Sequence, residues 1–148
     1  TTCTTTSRRI MLLKGEDIKK LIPQRYPFIM VDEFEHCGDQ TAATALTIRK
    51  DNYFMLPDGT MAETGLMEHI AQSAAALAGY LSLQSEEPHI GLIGEVKHFE
   101  CKRRPREEER VETGICFGFS MGNVTLVEGK CSVKGEEIAA AKLKIFMQ

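Results

Sequence analysis

The stretch Thr60-Met-Ala-Glu-Thr-Gly-Leu-Met-Glu-His-Ile-Ala-Gln-Ser-Ala-Ala-Ala-Leu-Ala-Gly-Tyr-Leu-Ser-Leu83 decides the fold. Thr60 and Glu63 have the spacing of a capping box, in which a hydroxyl and a carboxylate satisfy orphan amides at a helix start. Leu66, Ile70, Ala74, Leu77 and Leu81 then recur at helical spacing, and Met67, Ala71 and Ala78 widen the apolar stripe. A helix from Thr60 to about Leu83 follows. At about 1.5 Å per residue it exceeds roughly 30 Å, long for so short a chain, so it must lie across a broad surface.

The flanking sequence supplies that surface. On the N-terminal side, Gly15 to Ile22 reads as a short helix ended by Pro23, with Ile18, Leu21 and Ile22 on one face. Phe28 to Phe34 and Thr41 to Lys50 are strand-like, and Gly38-Asp39 supplies the turn between them. On the C-terminal side, Ile90 to Lys102, Arg110 to Ser120, Asn123 to Val133 and Glu137 to Phe146 show alternation and β-branched residues. Met121-Gly122-Asn123 and Lys134-Gly135 punctuate them, which predicts consecutive antiparallel strands. The expected class is α+β, a curved antiparallel sheet wrapped around one long central helix.

Composition bounds the function. The 148 residues are 43% hydrophobic and 26% charged, enough for one domain with a real core, expected over 15–148 after an N-terminal arm at 1–14. The arm opens with the low-complexity Thr-Thr-Cys-Thr-Thr-Thr-Ser and is expected to be mobile. Net charge is -3 with no basic tail, which argues against nucleic acid as a partner. No apolar run approaches the roughly 20 residues of a membrane span and no leader pattern is visible, so the expected location is cytoplasmic. Cys3, Cys37, Cys101, Cys116 and Cys131 are an odd set without a C-x-x-C pair, read as reduced, mostly core-filling thiols. His36, His89 and His98 have no ligands at metal spacing, so neither metal nor cofactor is expected.

Four collinear segments carry a resemblance. Leu21-Ile-Pro-Gln-Arg-Tyr-Pro-Phe-Ile-Met-Val-Asp32 resembles the signature Leu-Pro-His-Arg-Tyr-Pro-Phe-Leu-Leu-Val-Asp of the (3R)-hydroxyacyl-[acyl carrier protein] dehydratases, with Gln24 in place of its histidine. Gly65-Leu-Met-Glu-His-Ile-Ala-Gln72 resembles the start of that family's central helix, and Glu68 falls on its catalytic acid. Gly94-Glu-Val-Lys-His-Phe-Glu-Cys-Lys-Arg-Arg-Pro105 is similar to the strand that follows, with a diverged turn at Glu107 and Glu108. Gly129-Lys-Cys-Ser-Val-Lys-Gly-Glu-Glu-Ile-Ala-Ala-Ala-Lys-Leu-Lys144 resembles the closing hairpin. The resemblance implies the hotdog fold and a homodimer or higher even oligomer in which paired sheets cover their edges.

One element departs from the family. Its Gly-His-Phe-Pro-Gly, ahead of the helix, carries the catalytic histidine. This chain reads Asn52-Tyr-Phe-Met-Leu-Pro-Asp-Gly59, Phe54 falls at the histidine position, and no histidine occurs between His36 and His69. Eliminating water from a 3-hydroxyacyl thioester needs a base at C2 and an acid at the 3-hydroxyl, with amides stabilising the enolate-like oxygen. The resemblance implies that the histidine takes the C2 proton and the helix carboxyl serves the hydroxyl, in a site shared by two subunits. A histidine titrates near neutrality and suits both directions of proton transfer; Glu68 alone lacks that complement.

The candidate residues each have two readings. Glu68 either lines a thioester site or is a solvated helix residue, with Gln72 one turn on and Gly65 at the amide-bearing helix start. His69 projects to another side of the helix and reads as a satisfied structural histidine, not a substitute base. Tyr53 either donates a hydrogen bond in the vacated histidine region beside Phe54 or simply packs. Lys102, Arg103, Arg104 and Arg106 either dock an acidic carrier protein or a coenzyme A phosphate, or form a hairpin tip balanced by Glu107 to Glu109. Three functions remain open: a dehydratase-like protein acting on or binding 3-hydroxyacyl or enoyl thioesters of acyl carrier protein or coenzyme A; an acyl thioesterase using the helix carboxylate; and a non-catalytic subunit pairing with an intact paralogue.

Overall fold

The computed structural model describes residues 11–83 and 91–147, with side chains described over 12–83 and 95–146. Seven antiparallel strands form one sheet: β1 (Met11–Lys14), β2 (Glu33–Gly38), β3 (Thr41–Thr47), β4 (Gly91–Cys101), β5 (Arg110–Met121), β6 (Val124–Val133) and β7 (Glu136–Met147). Their order is β1-β2-β3-β5-β6-β7-β4. The helix α1 (Glu63–Leu83) lies on the inner face, in contact with every strand from β2 to β7.

Small residues set how closely α1 sits. A Cβ on Gly129 would come within 2.8 Å of Ile70 Cγ2, so the missing side chain on β6 is the slot that the helix fills. A Cβ on Gly79 would run into the Leu21 carbonyl, which lets the 3-10 turn Gly15–Lys20 and its following residues close over the far side of the helix. Leu66, Ile70, Ala74, Leu77 and Ala78 are fully buried, and so are His69, Gln72 and Ser73 on other faces. A helix buried nearly all round has to satisfy its polar side chains internally.

The hairpins and the sheet wrapped on a helix agree with the expected class, and three details differ. The capping box does not form. The helix begins at Glu63, while the Thr60 hydroxyl donates to Asp58 Oδ1 at 2.6 Å. The C-terminal strands are not one meander: β5, β6 and β7 follow in order, but β4 crosses to the far edge and pairs only with β7 among the described residues. The arm expected over 1–14 ends earlier, because Met11–Lys14 pair with Glu33–His36 of β2; the rest of it, and His89, lie outside the described residues. Cys101, Cys116 and Cys131 are reduced thiols, and burial pushes the Cys131 thiol up to about 12, so it stays protonated. Cys37 is disulfide-bonded, which corrects the all-reduced expectation. Among the described residues no helix is long and apolar enough to cross a membrane.

Candidate active site

The site is built where three backbone segments meet the first turns of α1. The first is Phe28–Met30, which follows a turn closed by the Phe28 amide on the Arg25 carbonyl at 2.8 Å. It was expected to be strand. Its polar groups turn to the helix instead: Met30 N–H donates to Gln72 Oε1 at 2.7 Å, and Gln72 Nε2 donates to the Phe28 carbonyl at 2.7 Å. β2 therefore starts only at Glu33.

Gln72 is 1% exposed and uses its whole amide. With Oε1 committed to the Met30 amide, Nε2 serves both the Phe28 carbonyl and Glu68 Oε2, the latter at 2.8 Å. That hydrogen bond holds the half-buried Glu68 carboxyl one turn before Gln72. Glu68 and Gln72, singled out together in the sequence, are thus joined in the fold.

The second segment is the loop that stands where the family keeps its histidine. Phe54 N–H donates to Asn52 Oδ1 at 2.8 Å, and the Phe54 carbonyl accepts from the Ala62 amide at 2.9 Å, so both ends of the residue are fixed. A Cβ on Gly65 would sit 2.8 Å from Phe54 Cβ, which places Phe54 directly against the helix face one turn before Glu68. Gly65 is required by that approach. The Tyr53 ring meets Phe28 edge-on with centroids 4.9 Å apart and Phe54 at 5.2 Å. Tyr53 packs, and it is 62% exposed. With Tyr26, Phe28 and Leu56 it leaves apolar surface open around the site.

The third segment is the basic loop after β4. Arg103 forms a two-pronged pair with Glu109 at 2.9 and 3.1 Å and approaches Glu136 at 3.6 Å. Arg104 donates to Thr60 Oγ1 and to Asp58 Oδ2, both at 2.9 Å, and Lys102 lies 3.4 Å from Glu137. The Arg104 guanidinium helps hold the Asp58 carboxyl below its ordinary range, behind the larger effect of the Thr60 hydrogen bonds. Met61 N–H bonds to the Pro105 carbonyl, and Glu107 N–H to that of Gly59. Arg104 and these backbone bonds therefore clamp the loop 58–61 that leads into α1, while Arg103 and Lys102 pair with Glu109, Glu136 and Glu137. Only Arg106, whose amide donates to Glu109, keeps an exposed side chain outside these pairs.

His69, one residue past Glu68, is fully buried and bonded at both ring nitrogens. Nδ1 lies 2.6 Å from the Met30 carbonyl and Nε2 2.8 Å from Thr113 Oγ1. A carbonyl only accepts, so Nδ1 carries the proton, and in the neutral ring Nε2 accepts from the Thr113 hydroxyl. Burial lowers its pKa, against smaller opposing effects of the Met30 carbonyl and Asp32. As pH falls through about 6.5, the unfolded chain takes up a proton that the native ring resists, so the native state loses stability below that value. Denaturant midpoints at about pH 7.5 and 5.5 check this: the wild-type advantage over His69→Gln is expected to shrink at the lower pH, and a constant advantage contradicts it.

A long helix packed on one face of an antiparallel sheet, with a carboxylate held in its first turns, is the arrangement of a hotdog protein. The chain belongs to the ApeP-like family: the profile described as ApeP dehydratase matches residues 16–148. The 3-hydroxyacyl-[acyl-carrier-protein] dehydratase FabZ of Halalkalibacterium halodurans is 26% identical over 137 residues, covering 89% of this chain and 96% of the relative. That of Campylobacter fetus is 29% identical over 142 residues, covering 88% and 95%. A chain of the dehydratase heterocomplex ApeI:P from Xenorhabdus doucetiae shares the fold with a TM-score of 0.79 at 14% identity, covering 88% of this chain and 90% of that one. A hypothetical thioesterase of Streptococcus pneumoniae, solved with coenzyme A, shares it at 0.66 and 9% identity, covering 78% and 84%. The resemblance to the hydroxyacyl thioester dehydratases and the hotdog fold are thereby established.

Proposed function

We propose that this chain is the histidine-less subunit of a hotdog dehydratase acting on 3-hydroxyacyl thioesters of acyl carrier protein or coenzyme A. It contributes Glu68 as the acid at the 3-hydroxyl, while a second hotdog chain with an intact loop histidine supplies the base that removes the C2 proton. Phe54 carries this reading: it occupies the loop position against Gly65 and has no group to accept a proton, while Glu68 is still held by Gln72 one turn away. The chain of Xenorhabdus doucetiae that shares the fold comes from a dehydratase heterocomplex, ApeI:P, which supports a mixed assembly. Two further features suit a partner subunit. Among the described residues the eleven-residue edge strand β4 pairs on one side only, with β7, and Tyr26, Phe28 and Tyr53 stand exposed beside the site.

The test is to purify the chain alone and together with a hotdog chain that carries the loop histidine. Light scattering at micromolar concentration is expected to show a dimer or larger even assembly, and a monomer under all conditions contradicts the proposal. The mixed assembly is expected to convert 3-hydroxyacyl thioester to conjugated enoyl thioester at least about 10²-fold faster than this chain alone, the usual worth of a positioned general base. Release of free thiol in place of enoyl product would instead make the protein a thioesterase, with Glu68 acting toward the carbonyl.

A further inference from the structure

We propose that His69 is a positioning residue for the Glu68 site, clamping the Phe28–Met30 backbone to α1 so that Gln72 can hold the carboxylate. The inference rests on Glu68 serving the reaction, as proposed above.

Three hydrogen bonds of 2.6 to 2.7 Å tie this short segment to the helix. Met30 offers both of its backbone groups, the N–H to Gln72 and the carbonyl to His69. Gln72 bridges onward from Phe28 to Glu68. The position of the carboxylate is therefore set by where residues 28–30 lie. Gln72 alone fixes one side of Met30; His69 fixes the other and ties it across the helix to Thr113 of β5. The ring is fully buried, so water has no route to replace it.

Below it the polar contacts continue. Ser73 Oγ donates to the His69 carbonyl at 2.7 Å and lies 2.7 Å from Thr44 Oγ1, and Thr113 Oγ1 lies 3.2 Å from Cys131 Sγ. Most of this belt serves the core; the Met30 contact alone reaches the site. Loss of the ring would leave the Met30 carbonyl free to swing, and a displacement of about 1 Å at a reacting group costs roughly 10²-fold in rate.

The experiment compares His69→Leu, His69→Asn, His69→Gln and Thr44→Val in the mixed assembly. Thr44→Val breaks the same belt away from residues 28–30. His69→Leu is expected to lower kcat about 10- to 100-fold with KM within about twofold. His69→Asn, whose Nδ2 takes the place of the imidazole Nδ1 and can still donate to Met30, is expected to recover most of kcat, and His69→Gln, whose amide falls at the Nε2 side facing Thr113, is not. Thr44→Val is expected to lower thermal stability and leave kcat unchanged. In the isolated chain, hydrogen exchange at the Met30 amide is expected to speed up in His69→Leu beyond neighbouring core amides; this reads the clamp without turnover, and if the Leu variant does not fold, His69→Gln against His69→Asn carries the comparison, equal kcat in the two overturning the inference.

Wild-type kcat in folded His69→Leu, or an equal loss in Thr44→Val, overturns the inference while leaving the dehydratase reading intact. An assembly that dehydrates normally with Glu68→Gln, or that dehydrates nothing, overturns that reading and this inference with it.

Discussion

Replacing Glu68 with Gln is expected to cut dehydration by the mixed assembly about 10²- to 10⁴-fold, while stability stays within about 1 kcal/mol. The change preserves shape, and the new side-chain oxygen can still accept the Gln72 Nε2 donation that holds the carboxylate at 2.8 Å. What is lost is a proton donor and acceptor at the 3-hydroxyl. If Glu68 acts only in the transition state, kcat and kcat/KM fall together, whereas a rise in KM alone would make it a binding group. Undiminished turnover in a folded Glu68→Gln assembly would return Glu68 to the solvated-residue reading that its helical position alone suggests.

Local pattern made much of this fold legible. The apolar repeat from Leu66 to Leu81 marks α1, and Gly38-Asp39, Gly122-Asn123 and Lys134-Gly135 mark turns that the structure keeps between β2 and β3, β5 and β6, and β6 and β7. Strand order was not legible. Nothing within Gly91–Cys101 says that it pairs with β7 at the far edge, because that register depends on contacts distant in the chain. The first strand was hidden for a different reason: four residues at the end of a polar arm carry too little pattern to stand out.

The site was half legible. Glu68 and Gln72 lie one turn apart and their meeting follows from helical geometry. Phe28 and Met30 could not be read as anchors, since they take part through backbone groups that every residue has. Their residue types favour a strand, and the buried Gln72 and His69 overrode that preference by offering better-placed partners. The charges of Lys102 to Arg106 were equally ambiguous. Composition does not reveal ion pairs, and the distances to Asp58, Glu109 and Glu137 show them.

Phe54→His is expected to raise dehydration by the isolated chain, yet well short of the roughly 10²- to 10⁴-fold that a correctly placed general base supplies. The backbone at this position is held by Asn52 Oδ1 on its amide and by the Ala62 amide on its carbonyl, so a histidine would enter a loop of fixed course. Its Cβ would rest against Gly65, one turn from Glu68 in the same chain. Placement on the substrate is stricter: the base must come within about 3 Å of the C2 proton it removes, and the loop continues through Met55-Leu56-Pro57 where the dehydratase motif has Phe-Pro-Gly. Arg104 braces the far end of the same loop through Asp58 and Thr60 and limits how far it can adjust. A partial gain, abolished again by Glu68→Gln in the double variant, would show that both groups act on one substrate. Wild-type turnover already near about 10 s⁻¹ for the isolated chain would show instead that another residue supplies the base.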